Sequence, residues 1–107
     1  MDEQLFQRRA EESLDDLYRR LAPASDEHGF DVDFNNGTLT VEFEDPSTRF
    51  VVSPNAPVRQ VWVSANVKSF KLDWRDGDGF VLGAGRQTLA ALMAEQIGLH
   101  LGEPVAL

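Results

Sequence analysis

Apolar residues Phe6, Ala10, Leu14, Leu17 and Leu21 recur at spacings of three and four, the stripe of an amphipathic helix over residues 3–21, which Pro23 is expected to close. The period then changes. Short runs alternate apolar and polar side chains with period two, so each residue can be assigned to a face. In residues 30–34, Phe30, Val32 and Phe34 point one way and Asp31 and Asp33 the other. Asn36-Gly37 predicts a tight hairpin, because both residues tolerate positive φ. The next run presents Leu39, Val41 and Phe43 to a core and Thr38, Thr40, Glu42 and Glu44 to water. Asp45-Pro46-Ser47 predicts a turn, followed by strands over 49–53, 60–64 and 69–74 and a short buried one over 80–82. Thr88 is placed to cap a last helix whose stripe includes Leu89, Leu92, Met93, Gln96 or Ile97, and Leu99 or His100, and which ends near Gly102.

The order is helix, five or six strands joined mostly by short turns, then helix: an α+β pattern in one domain spanning residues 1–107. Short connections require antiparallel neighbours. Strands with one apolar face require both helices on that face, leaving the other side of the sheet open. In Gln60-Val61-Trp62-Val63-Ser64 the valines take the core side, so alternation puts Gln60, Trp62 and Ser64 on the open face. Tryptophan and arginine dominate binding hot spots, and Arg59 and Lys71 are expected beside Trp62, which points to a protein partner; packing of Trp62 across the strands on Lys71 or Arg49 is the structural alternative.

Charge is regional. The first 45 positions hold 13 of the 18 acidic residues against four arginines, a balance of −9, while the remainder sums to +1. Such a segment attracts cations or a basic partner and repels nucleic acid and anionic membrane. Glu11 and Asp15 stand one turn apart on a flank of the first helix, and Asp26, Glu27, Asp31 and Asp33 can approach that flank from the loop and first strand. Glu12 and Asp16 lie further round, where pairing with Arg8, Arg9, Arg19 or Arg20 is expected. The chain has no cysteine, which excludes disulfides, thiolate metal sites and cysteine nucleophiles. His28 is expected in a loop in water and His100 packed or capping near the inner stripe of the last helix. The serines lack a nucleophile-elbow context, and Gly77-x-Gly79 and Gly83-x-Gly85 lack the strand-to-helix setting of a phosphate loop. No apolar run is long enough to span a membrane and no signal or transit segment is visible, which leads to an expectation of a bacterial cytoplasm, or of the mitochondrial matrix for a trimmed mature form.

The stretch Asn36-Gly37-Thr38-Leu39-Thr40-Val41, then Pro57-Val58-Arg59-Gln60-Val61-Trp62-Val63-Ser64, then Lys71-Leu72-Asp73-Trp74, resembles the frataxin family, including its bacterial iron-donor members. The resemblance covers essentially the whole chain, and Pro-x-x-Gln-x-Trp is its most specific part. It implies the frataxin α-β sandwich, with both helices on one face of an antiparallel sheet. It also implies weak binding of Fe²⁺ or Fe³⁺ through an acidic ridge, and binding to the cysteine desulfurase and scaffold of Fe–S cluster assembly. Carried over by position, Glu3, Glu11, Asp31 and Asp33 fall on ridge positions, while Arg59, Gln60 and Trp62 lie on the surface used for the assembly complex, with Lys71 where a basic residue is frequent. The sequence departs from the family at Tyr18-Arg19-Arg20-Leu21-Ala22-Pro23, where many relatives are dense in carboxylates. No ligand spacing for a tight site is present, so the metal candidates Glu3, Glu11, Asp15, Asp31 and Asp33 imply weak, salt-sensitive binding by a protein that is a monomer without iron. The family's reported oxidation of ferrous iron would then be a weak by-product of iron on carboxylates, and the protein is not expected to be an enzyme. The competing class is a small acidic interaction module of the secretion-chaperone kind, without a metal role and typically dimeric.

Overall fold

The computed structural model describes residues 1–44, 47–83 and 85–107. The elements in chain order are α1 (Glu3–His28), β1 (Asp31–Asn35), β2 (Thr38–Glu44), β3 (Ser47–Asn55), a 3₁₀ turn (Ala56–Val58), β4 (Gln60–Ala65), β5 (Lys68–Arg75), β6 (Gly79–Leu82), β7 (Gln87–Thr88) and α2 (Leu89–Leu101). The turn expected at Asp45-Pro46 lies outside the described residues.

α1 begins where the Asp2 carboxylate accepts from the Leu5 amide at 2.7 Å, covering one of the unpaired first-turn donors. Contrary to the expectation from Pro23, it does not stop there. Proline withholds one amide donor, but the helix runs on to His28, burying Ala24 beyond the proline, and ends at Gly29, whose φ of 75° suits the left-handed cap. Ser25 Oγ donates to the Ala22 carbonyl at 2.8 Å across the same turn. Asp26, Glu27 and His28 are therefore helical. His28 is not a solvated loop residue either: its side chain is 11% exposed and its Nδ1 lies 2.9 Å from Glu103 Oε1.

The described residues form one antiparallel meander of seven strands in sequential order, where five or six were expected. The extra strand is the two-residue β7, whose Gln87 pairs with Leu82; so short a segment shows no period-two signal. The register Leu39↔Val52↔Val63 and Val61↔Leu72 stacks apolar residues on one face. Phe6, Leu14, Leu17 and Leu21 of α1 and Leu92, Met93 and Ile97 of α2 join them in one buried cluster. Thr88 caps α2 by accepting from the Ala91 amide at 3.2 Å, and Gly102 ends it. His100 is packed, its ring 4.2 Å from that of Phe43. Among the described residues no helix is long and apolar enough to cross a membrane.

With both helices on the apolar side, the other side of β2 to β5 is left uncovered by helix. Every second residue of those strands is presented there.

Candidate functional site

β4 is bracketed by two conformations that few residues adopt. At its start Arg59 has φ of 54°, and at its end Asn66 and Val67 have φ of 50° and 59°, a pair of left-handed residues closing the hairpin into β5. Between them Val61 and Val63 are buried, and Trp62 is 38% exposed on the open face. Antiparallel pairing sets Trp62 opposite Ser53 of β3 and Lys71 of β5.

The surroundings of Trp62 are ordered by polar contacts. Its indole Nε1 donates to Gln60 Oε1 at 2.9 Å. The Gln60 amide in turn donates from Nε2 to Asp73 Oδ1 at 3.0 Å. The Lys71 ammonium stands over the indole ring, 4.9 Å from its centroid, a cation–π arrangement. Docking candidate and cross-strand packing, posed as alternatives in the sequence, thus coexist: Lys71 covers part of the ring while more than a third of the residue stays open. Arg59 is placed differently. Its guanidinium donates to the Ala56 carbonyl, and its Nε donates to the Met1 carbonyl at 3.4 Å, tying the turn before β4 to the start of the chain. The structure therefore joins Gln60, Trp62 and Lys71 directly, and Arg59 holds the backbone that leads into them. Asp73 was not singled out from sequence, although alternation in Lys71-Leu72-Asp73 puts it on the same face as Lys71; the missing signal was its register opposite Gln60.

The acidic surface is arranged along α1 and the β1–β2 edge. Several of its carboxylates are already paired: Asp15 with Arg19 at 2.9 Å, Asp16 with Arg20 at 2.8 Å and Glu12 with Arg9 at 3.1 Å. Glu11 and Asp15 line a shallow hollow with Arg8, Glu12 and Phe34, so the helix flank and first strand do meet there. Asp33 accepts from Asn35 Nδ2 at 3.1 Å and stands opposite Thr40, while Asp31 stands opposite Glu42, which Arg49 approaches at 3.8 Å. Glu3, in the first turn, is about 12 Å along the helix axis from Glu11 at 1.5 Å per residue. Oxygen donors of this kind suit hard cations such as iron. They do not converge, however: among the described residues no group of three or more His, Asp or Glu is placed to hold a metal ion. A surface of this kind attracts cations by summed charge, in competition with its own arginines.

Residues 1–103 match the family model described as the frataxin-like domain. The chain belongs to the frataxin family. Its relatives place it beside the bacterial members. It is 33% identical over 107 residues to a protein of Azotobacter vinelandii named iron-sulfur cluster assembly protein CyaY, covering 94% of this chain and 96% of that one. A Pseudomonas aeruginosa protein of the same name is 34% identical over 91 residues, covering 83% of each chain. The mitochondrial frataxin of Arabidopsis thaliana is 28% identical over 100% of this chain and 59% of its own length. Among solved structures, the frataxin of Psychromonas ingrahamii superposes with a TM-score of 0.76 over 99% of this chain and 97% of that one; at 24% identity this speaks for the fold alone. The frataxin resemblance read from the Asn36-to-Val41, Pro57-to-Ser64 and Lys71-to-Trp74 segments is borne out in family and in fold.

Proposed function

We propose that this chain, acting as one frataxin-like domain over residues 1–107, is an iron-binding regulator or iron donor in Fe–S cluster assembly and docks on the cysteine desulfurase and scaffold. The observation that carries the reading is Trp62, an aromatic hot-spot type left open on the helix-free face and flanked by the cation of Lys71. The names of the curated bacterial relatives supply the assembly context.

In this reading Gln60, Trp62 and Lys71 form the docking surface and Arg59 anchors its edge. Glu3, Glu11, Asp15, Asp31 and Asp33 form a ridge that attracts iron and a basic patch on the partner, since complementary charge raises encounter rates. Iron is cargo, held weakly because the carboxylates are dispersed and partly engaged by arginine. The role is not enzymatic, and any oxidation of ferrous iron is a slow consequence of its exposure on carboxylates. The bacterial relatives favour a cytoplasmic setting, and this reading takes the protein as a monomer in the absence of iron.

The test is an anaerobic amide-NMR titration with the cysteine desulfurase and scaffold of the same organism, with and without Fe²⁺, repeated on Trp62→Ala. The expected result is resonance broadening at Trp62 and its neighbours with scaffold, ridge shifts with Fe²⁺, and binding weakened by roughly 1–3 kcal/mol in the variant. Equal affinity of variant and parent removes Trp62 from docking.

A further inference from the structure

Gln60 sits between two groups of fixed polarity, and that decides which way its amide points. An indole N–H only donates and an ionised carboxylate only accepts. With Oε1 toward Trp62 Nε1, 2.9 Å away, and Nε2 toward Asp73 Oδ1, 3.0 Å away, both contacts are hydrogen bonds. The flipped amide would set donor against donor and acceptor against acceptor. A neutral hydroxyl or amide at position 73 could donate or accept and would leave the indole alone to set the orientation.

We infer that Asp73 is a positioning residue: through the Gln60 amide it fixes the indole of Trp62 on the open face, with its N–H already satisfied and its ring presented under Lys71. The residues lie on neighbouring strands at nearby register positions, Gln60↔Asp73 and Trp62↔Lys71, so the sheet itself sets their spacing. The cation over the ring and the hydrogen bond at its edge restrain the same side chain from two directions. Two consequences follow for a docking partner. It meets an aromatic surface whose rotamer freedom is already reduced, so less entropy is lost on binding. It is also not required to supply an acceptor for the indole N–H; the polar capacity left open is the second Nε2 hydrogen of Gln60, the free oxygen of Asp73 and the ammonium of Lys71. The positioning is a property of this chain alone; its effect on docking rests on the function proposed above.

The test compares the parent with Asp73→Asn and with the exchange pair Gln60→Glu and Asp73→Asn, which keeps both hydrogen bonds, reversing donor and acceptor in the 60–73 contact, while moving the carboxylate from position 73 to position 60 at constant net charge. In the pair, one oxygen of the carboxylate introduced at position 60 accepts from Trp62, and the other accepts from the amide introduced at position 73. The readout is hydrogen exchange of the Trp62 indole N–H by NMR, with the indole of Trp74, bonded instead to Asp76 at 2.9 Å, as internal control. Asp73→Asn is expected to speed Trp62 exchange roughly two- to tenfold, the scale of one exposed hydrogen bond, and to leave Trp74 unchanged. The exchange pair is expected to restore the parent rate. Parent-like exchange in Asp73→Asn, or failure of the pair to restore it, overturns the inference. Affinity for the assembly complex, measured on the same proteins, should follow the same order; indole rates that move while affinity does not would uphold the positioning role and remove Trp62 from docking.

Discussion

His28, the last residue of α1, lies 2.9 Å from Glu103, 75 positions later and just past the end of α2. This contact ties the far end of the proline-containing helix to the chain after the second one, where Val105 and Leu107 also pack on the core. Glu103→Ala is expected to lower stability by about 1 kcal/mol in urea unfolding. Amide exchange should quicken after residue 102 and stay as it is in the sheet. Unchanged exchange there would mean that the apolar contacts alone hold the tail.

Asn66 should be among the costlier polar residues to lose. Its side-chain amide donates to both the carbonyl and Oε1 of Gln96, at 3.0 and 2.9 Å, and Gln96 is 4% exposed. Asn66→Ala takes this donor from the Gln96 Oε1 of a buried side chain and removes a residue suited to φ of 50°. The expected loss is roughly 1–3 kcal/mol by chemical denaturation.

Val67 makes the opposite case. It is β-branched, held at φ of 59° and fully exposed, so it carries conformational strain without burying surface. Val67→Gly converts the turn to Asn-Gly and should raise stability by about 0.5–1 kcal/mol, strain relief exceeding the added chain entropy. A loss of stability would show that the valine makes contacts worth more than its strain.

Pro23 is exposed inside a continuous helix, where it supplies no amide to the Arg19 carbonyl. Pro23→Ala should restore that bond and raise the urea midpoint, by about 1–3 kcal/mol in stability. A fall would mean that the proline's packing outweighs the missing bond.

Iron retention should depend on summed charge more than on any single ligand. Neutralising Glu11, Asp15, Asp31 and Asp33 together with Gln and Asn is expected to reduce Fe²⁺ bound in anaerobic titration. Raising the salt should weaken binding by the parent, because screening shortens to about 3 Å at 1 M. Overlaid titrations of parent and variant would remove the ridge from iron binding.

Periodicity alone determined much of this protein. The stripe from Phe6 to Leu21 and the alternation in β1 to β5 specify which faces are buried, because apolar surface must leave water and the spacing of side chains on a helix or strand is fixed by backbone geometry. The same alternation placed Gln60, Trp62 and Ser64 on the open face, and regional charge located the acidic segment. Tertiary structure decided what depends on partners distant in sequence. α1 passes Pro23 because burial of Ala24 and the His28–Glu103 contact outweigh one missing amide, and no local signal carries that balance. Strand register paired Asp73 with Gln60 and so settled the polarity around Trp62. The pairing of Arg9 with Glu12 and Arg20 with Asp16 is local to α1 and was legible from spacing, whereas only the folded chain shows that the carboxylates of helix and strand do not converge on a metal site among the described residues. Composition adds charges irrespective of position, whereas coordination and hydrogen bonding depend on direction and a few ångströms, and only the packed chain supplies those.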